Sequence, residues 1–330
     1  MRTPLVIRDL RAAPGTLTRG FLPVGETVAG PVQIPVALCN GAEDGPILCL
    51  TAGVHATEYP PIDAVMRVIQ SLDPAGMRGA VIAVPVVNLR MFESRSPFVS
   101  PLDGLNLNKI APGSAEGSLS QVLAQVLLTE LIGRAAVHID LHGGDLGEML
   151  LPFAGYALSG RAEQDALGET LARLYSPGLV SLAGSEGLVP PFPDGIAHAA
   201  SQRGVVSIFA EAGGNGTLEE ADVQIHLTGI LNVMRHLGMI PGSPVPPAGP
   251  RILARERVLV RATRAGLLRL KVRIGDAIAA GQEVAEVCNL FGEVVERVRA
   301  PGAGLAGLVW AHKVVHSGDP ILRYWVVEPS

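Results

Sequence analysis

Cysteine is scarce in this sequence, and its pattern excludes a disulfide framework. Only Cys39, Cys49 and Cys288 occur, without any CxxC spacing. An odd number of cysteines cannot all pair within one chain. The first ten residues hold charged residues and proline where a secretory signal needs an apolar stretch. These features predict reduced thiols and a cytoplasmic location.

Long apolar runs and a strong excess of one charge are also missing. No window offers about 18 uninterrupted apolar residues, the length that a membrane-spanning helix requires. The formal net charge is -5, which gives no reason to expect nucleic acid or an anionic membrane as a partner. We therefore expect a soluble protein without a nucleic-acid or membrane partner.

Glycine and proline, in contrast, are abundant. They account for 39 and 26 of the 330 residues, which indicates many turns and loops rather than long helices. A chain of this length is typical of two domains.

The first 240 residues alternate between apolar runs and amphipathic segments. The apolar runs predict buried strands at 46–53, 79–88, 135–142, 148–155 and 204–214. The amphipathic segments predict helices at 61–72, 118–134, 161–175 and 219–238. Apolar strands without two-residue alternation, separated by helices, predict an α/β fold with a largely parallel central sheet.

A segment rich in proline and glycine divides the chain. We expect an α/β domain over 1–240, β-rich in its N-terminal part, and a linker over 241–250. Beyond the linker the pattern changes to short alternating runs with glycine turns. This pattern predicts a small all-β barrel or sandwich over 251–330.

Two histidines and a glutamate are candidate metal ligands. His55 and Glu58 lie three residues apart in GVHATEYP, just after the first predicted strand, and His142 ends the strand in DLHGG. Catalytic zinc commonly takes three such ligands. In parallel sheets, functional groups gather beyond the carboxyl ends of the strands. The alternative is an ordinary polar pair and a structural histidine.

The same strand carries two more polar side chains on the side of His142. Side chains alternate along a strand, so His138, Asp140 and His142 share one face. His138 lies deeper, and we expect it to pack or form hydrogen bonds internally. Asp140 is expected to orient a ligand histidine, as metal-bound histidines usually require.

A base and a substrate-binding loop complete the candidate site. Glu211 ends an apolar strand in EAGG and is a candidate to take a proton from water and pass it to a leaving amine. The long loop 88–109 carries Arg95 and Lys109, which are candidates to anchor an anionic substrate, and Asn108, which adds a neutral hydrogen bond. The alternatives are a solvated or capping carboxylate and a solvated loop.

Together these motifs resemble the succinylglutamate desuccinylase/aspartoacylase family, within the wider zinc carboxypeptidase-like group. The likeness rests on GVHATEYP, SRS…DGLNLNK, DLHGG and EAGG, in the family's order over roughly residues 45–215. It implies a mixed α/β sheet flanked by helices. It also implies a hydrolase with one zinc per chain that removes an acyl group, acetyl or succinyl, from the amine of a small N-acyl amino acid.

The resemblance also implies a role for each candidate residue. These are zinc ligation by His55, Glu58 and His142, general base and acid catalysis by Glu211, stabilisation of the scissile carbonyl or oxyanion by Arg95, and binding of the substrate carboxylate by Asn108 and Lys109. The family usually has Asn-Arg at the last pair. Lysine offers a point charge rather than a two-pronged guanidinium, so a smaller or differently charged substrate is expected, for example an N-acetylated diamino acid.

The C-terminal region is similar to biotinyl/lipoyl-like domains. Such a carrier places a lysine in the hairpin between its halves, and the corresponding segment 289–295 has none. We therefore expect no attached lipoyl or biotinyl group, and a domain that caps the active-site rim or builds the interface of a homo-oligomer. Two other functions stay open for the whole chain: a metallocarboxypeptidase for short peptides, and a non-catalytic binding protein on the same fold.

Overall fold

The computed structural model describes residues 2–176, 178–181, 195–245 and 252–327. The strands of this part of the chain are β1 Leu5–Ile7, β2 Leu10–Ala12, β3 Thr16–Thr27, β4 Gly30–Asn40, β5 Glu43–Ala52, β6 Arg78–Val84, β7 Val137–His142, β8 Glu148–Leu150, β9 Phe153–Tyr156, β10 Leu179–Ser181, β11 Val206–Glu211, β12 Ile252–Arg261, β13 Gly266–Leu270, β14 Ala277–Ile278, β15 Glu283–Cys288, β16 Val294–Arg299, β17 Gly304–Trp310, β18 Val314–Val315 and β19 Pro320–Val327. The α-helices are α1 Tyr59–Ser71, α2 Leu89–Ser94, α3 Leu119–Val126, α4 Ala162–Tyr175, α5 Ile196–Gln202 and α6 Glu220–His236.

Thirteen of these strands form one mixed sheet. Its order is β14-β17-β19-β12-β10-β9-β11-β7-β5-β6-β4-β3, with β8 paired to β17. Strands β6, β5, β7 and β11 are parallel to one another, and β4 and β3 follow in antiparallel orientation. The predicted α/β fold with a largely parallel central sheet is therefore confirmed.

The central strands read as unbroken apolar runs because both faces of the sheet are covered. In β5, Leu48 and Leu50 pack into the core that includes α1, α4 and α6. Cys49, between them, packs into the core on the other face, which includes α3 and α5. A strand buried on both faces has no polar side and therefore no two-residue alternation.

The prediction of a single strand at 148–155 is wrong, because this segment forms two strands. Pro152 lies between β8 and β9, and proline cannot donate to a strand ladder. The two strands also have different partners, β17 for β8 and β11 for β9. The predicted strand at 135–142 is confirmed as β7.

The described part of the C-terminal region, residues 252–327, consists of strands and connecting turns. Strands β12, β14, β17 and β19 extend the large sheet, while β13, β15, β16 and β18 form a separate antiparallel sheet. One apolar core contains side chains from all eight strands, so the two sheets pack against each other. The predicted small all-β unit is confirmed. The boundary at 241–250 stays a prediction, and 246–250 lie outside the described residues.

The three cysteines are buried free thiols. No helix in the described ranges is both long enough and apolar enough to cross a membrane.

Strand β7 carries the polar face of the sheet centre, and its opposite face supports the core. Ile139 is fully buried and lies between Leu50 and Ile208 of the neighbouring strands. We predict that Ile139→Ala lowers the free energy of unfolding by about 2–5 kcal/mol, because it leaves a cavity, and that Ile139→Val lowers it by about 0.5–1.5 kcal/mol. Urea unfolding measures both values, and equal stability of the two variants would contradict the packing described here.

Candidate active site

The predicted functional side chains meet at one edge of the sheet. His55 lies in the loop after β5, Glu58 immediately precedes α1, and His142 and Glu211 are the last residues of β7 and β11. Because these strands are parallel, their carboxyl ends lie at the same edge, and His142 is directly opposite Glu211 in the β7–β11 register. Two prolines in the first turn of α1 favour the start of the helix just after Glu58.

The Glu58 carboxylate lies between the two histidines. Its Oε1 is 2.9 Å from Nδ1 of His55, and its Oε2 is 3.0 Å from Nδ1 of His142. The backbone N–H of Gly143 also donates to Oε2, at 3.1 Å. One ligand atom from each of the three side chains lies within 4.8 Å of the others. Two imidazoles and a carboxylate at this spacing could hold a metal ion, and this donor set suits zinc.

The outer nitrogens of both imidazoles face oxygen atoms. Nε2 of His55 is 3.1 Å from Oδ1 of Asn106, and Nε2 of His142 is 3.3 Å from Oδ2 of Asp140. A proton on each Nε2 leaves both Nδ1 atoms free to bind a metal ion, the arrangement that metal-binding histidines commonly have. Asp140 was singled out from the sequence for this position, whereas Asn106 was not. It follows a glycine and a leucine in DGLNLNK and carries no signal of its own.

A buried chain of hydrogen bonds holds Asp140 in place. The Thr51 hydroxyl donates to Oδ1 of Asp140 at 2.7 Å and lies 2.8 Å from Nε2 of His138. Nδ1 of His138 lies 2.9 Å from the Ser207 hydroxyl. Burial lowers the pKa of His138 to about 4, so this imidazole is neutral. His138 is therefore an internal hydrogen-bonding residue, as predicted from its deeper position on the strand.

The side chains of His55, Glu58 and His142, which we call the ligand cluster, favour a positive charge in the space among them. Burial alone would raise the pKa of Glu58, but His55 and His142 lower it to about 2. For His142 burial lowers the pKa, yet the carboxylates of Asp140 and Glu58 raise it well above its ordinary value. The neighbouring carboxylates therefore favour protons on both imidazoles when no metal is bound. A metal cation placed there replaces those protons and keeps the charges balanced.

A cavity of about 260 Å³ opens beside the cluster. This volume lies at the lower end of the range for small-molecule sites, about 300–1,000 Å³. Its other side consists of residues that we call the cavity wall, namely Glu148, Leu150, Arg257, Leu308, Trp310 and Arg323. Four of these six come from the C-terminal strands. The C-terminal region was expected either to cap the active-site rim or to build an oligomer interface. The position of these four residues supports the cap.

Two carboxyl groups in the cavity have raised pKa values. Burial, together with the nearby carboxylates of Glu58 and Glu148, raises the pKa of Glu211 to about 8, although His142 and His55 act to lower it. Burial likewise raises the pKa of Glu148 to about 7. A carboxyl group with a pKa near neutrality suits proton transfer in both directions. Glu148 was not found from the sequence, because nothing in the short segment EML marks a functional carboxylate.

Some residues of the predicted substrate loop, 88–109, line the cavity. Asn108 places Nδ2 3.5 Å from Nε2 of His142, and its Oδ1 accepts a hydrogen bond from the Ile196 backbone at 3.0 Å. Lys109 also lines the cavity. Arg95 is exposed, ends α2 in a left-handed conformation with φ 55°, and does not line this cavity. The roles of these three residues in substrate binding stay predictions.

A further carboxylate, missed from the sequence, fastens the loop to the ligand segment. Asp145 is fully buried and accepts hydrogen bonds from the Phe98 backbone, at 2.8 Å, and from the Thr57 hydroxyl. Phe98 lines the cavity, and Thr57 precedes Glu58. Asp145 therefore joins the loop to the chain between the first two ligands.

Comparison with known proteins agrees with this geometry. A profile of the succinylglutamate desuccinylase/aspartoacylase catalytic domain matches residues 44–237. The N-alpha-acetyl-L-2,4-diaminobutyric acid deacetylase of Halomonas elongata is 30% identical over 301 residues, which cover 90% of this chain and 86% of that protein.

Solved structures share the fold over almost the whole chain. A product-bound structure of the ectoine utilization protein EutE (DoeB) from Ruegeria pomeroyi has a TM-score of 0.88 at 23% identity and covers 99% of this chain and 100% of its own. A succinylglutamate desuccinylase/aspartoacylase from Rhodobacter sphaeroides has a TM-score of 0.84 at 24% identity and covers 95% and 96%. The C-terminal strands are thus part of the shared fold.

Substitution of Asp140 tests whether its carboxylate orients His142 for metal binding. In Asp140→Asn, an amide nitrogen can take the place of the oxygen that faces Nε2 of His142, and a donor then faces a donor. We predict about 10- to 100-fold weaker binding of zinc, measured by competition with a chromophoric chelator. Asp44→Asn, at an exposed position, is the control. Unchanged affinity in a folded Asp140→Asn protein would rule out the orienting role.

Proposed function

This chain belongs to the succinylglutamate desuccinylase/aspartoacylase family, and from that premise we propose that it is a zinc-dependent amidohydrolase. It removes a short acyl group from the amine of a small N-acyl amino acid. The observation that carries the proposal is the cluster of His55, Glu58 and His142 at one end of a small cavity, with Glu211 opposite His142 in the strand register.

The metal site supplies one part of the chemistry. A zinc ion held by His55, Glu58 and His142 provides Lewis-acid activation for amide hydrolysis. Asp140 and Asn106 keep the imidazoles in the tautomer that ligation requires.

Glu211 moves the proton. In the reaction the amide C–N bond breaks, a C–O bond to water forms, and one water proton ends on the leaving amine. Glu211 takes that proton on its carboxylate and delivers it to the amine nitrogen. Burial, which raises the Glu211 pKa, makes the carboxylate a stronger base than an exposed glutamate.

The cavity favours a small substrate over a peptide. A space of about 260 Å³ suits an N-acyl amino acid, and the cavity wall limits the room for a longer chain. We propose that Asn108 and Lys109 hold the substrate carboxylate, while Arg95 serves the scissile carbonyl after a movement of its loop. The deacetylase from Halomonas elongata leads us to propose an acetylated diamino acid as the substrate.

A substrate panel tests the proposal. The zinc-loaded protein is assayed for amine release from N-acetyl and N-succinyl amino acids and, in parallel, from short peptides. We expect cleavage of at least one N-acyl amino acid at a kcat/KM well above that for any peptide, and loss of activity on chelation with recovery on zinc addition. Faster cleavage of peptides would establish the carboxypeptidase instead, and a folded protein without metal or turnover would establish the binding protein.

Glu211 provides the sharpest test of the mechanism. We predict that Glu211→Gln lowers kcat by about 10²- to 10⁴-fold, because the amide cannot accept the proton. Zinc content should stay at the wild-type value, since Glu211 is not a ligand. The fold should also persist, because burial at this position favours a neutral side chain over a charged one. Glu163→Gln, on an exposed helix surface, is the matched control, and full activity of Glu211→Gln would refute the assignment.

A further inference from the structure

The cavity wall is one face of the extended sheet. Side chains on a strand alternate between faces, and in the antiparallel register Glu148 lies opposite Trp310, and Leu150 opposite Leu308. Leu308 in turn lies opposite Arg323 on the next strand. Residues of β8, β17 and β19 that point to the same side therefore face the cavity.

This face carries two opposite charges that are held apart. Glu148 and Arg323 are both partly buried and both line the cavity. Arg323 lowers the pKa of Glu148, against the larger effect of burial, so the two charges interact. Strand β17 lies between them, and no ion pair or hydrogen bond of either side chain is found within the described residues. The Arg323 guanidinium instead faces the Trp310 ring, 5.9 Å from its centroid.

An unpaired carboxylate beside an apolar surface is costly unless a partner arrives. The other charges near Glu148 indicate the sign of that partner. Burial raises the pKa of Glu148, and so do the nearby carboxylates of Glu58 and Asp145. Glu148 in turn raises the pKa of Glu211. Further carboxylates therefore lie near Glu148, while Lys109, Arg257 and Arg323 also line the cavity, and a Glu148 carboxylate without an ion pair can bind a cationic group of a ligand. Lys109, which also lines the cavity, can serve the carboxylate of the same ligand.

We propose that Glu148 selects the substrate by binding an ammonium group on the side chain of its amino acid. The inference rests on the proposed function and adds the residue that sets specificity. Arg323 opposes the effect of burial on Glu148 and favours its ionised form. A neutral side chain of equal length would leave the Glu148 carboxylate without a partner, and an acidic side chain would be repelled by it. The enzyme then prefers N-acyl diamino acids to other N-acyl amino acids.

Three substrates of matched shape test the proposal on the zinc-loaded protein. Nα-acetyl-L-2,4-diaminobutyrate ends its side chain in an ammonium group, Nα-acetyl-L-norvaline replaces that group by a methyl group, and Nα-acetyl-L-glutamate replaces it by a carboxylate. We expect the wild type to prefer the first by at least about 10-fold in kcat/KM. Glu148→Gln should reduce this preference by about 10- to 100-fold, mainly through KM, because it removes a charged hydrogen bond.

Two variants separate recognition from a structural effect. Glu148→Asp keeps the charge and should restore part of the preference. Glu256→Gln removes a carboxylate from an exposed position next to the wall residue Arg257 and should leave the preference unchanged. Equal losses for the ammonium and methyl substrates in Glu148→Gln would overturn the proposal, as would a wild-type preference for the methyl or the carboxylate substrate.

Product binding keeps this test distinct from that of the proposed function. Calorimetric titration with L-2,4-diaminobutyrate and L-norvaline should show tighter binding of the diamine in the wild type, and loss of that difference in Glu148→Gln. If no N-acyl amino acid is cleaved, the proposed function fails while the titration still decides the role of Glu148. Equal binding of both products to the wild type would reject the role.

Discussion

The buried carboxylate of Glu58, shared between His55 and His142, is the interaction on which the rest of the site depends. Both of its oxygens are engaged, one by each imidazole, and the group is almost inaccessible to water. A buried charge of this kind is stable only where its partners are held in position. The strand end that carries His142, the helix start that follows Glu58, and the hydrogen bonds of Asp140 and Asn106 supply that support.

The C-terminal strands complete the site and do not merely follow it. Strands β12, β17 and β19 continue the central sheet, so the wall that faces the ligand cluster is hydrogen-bonded to the catalytic half through β10 and β8. The cavity wall and the strands that lead to His55, Glu58 and His142 are therefore parts of one hydrogen-bonded sheet. This continuity explains how one small cavity combines the candidate metal ligands from one half of the chain with arginines and a tryptophan from the other.

Local sequence patterns were sufficient to predict the strands that are buried on both faces. The strands around β5 and β7 were predicted correctly because burial on both faces makes the whole run apolar. The prediction of one strand over 148–155 was wrong because its two halves pair with different strands. An apolar run in a sequence does not show which strand it will pair with. Among the candidate site residues, His142 and Glu211 close parallel strands, and His55 and Glu58 lie after another, so their meeting at one edge could be predicted.

Apolar periodicity and polar residues at strand ends were enough to predict the fold class, the His–Glu–His donor set and the glutamate that faces it. The residues that surround them depend on tertiary contacts. Asp145 acquires its position through contacts with residues that lie 47 or more places away in the chain. Glu148 acquires its position through the pairing of β8 with β17. Asn106 and Arg323 likewise depend on tertiary contacts. Such pairings depend on how the whole sheet assembles, and no spacing within a short segment encodes them.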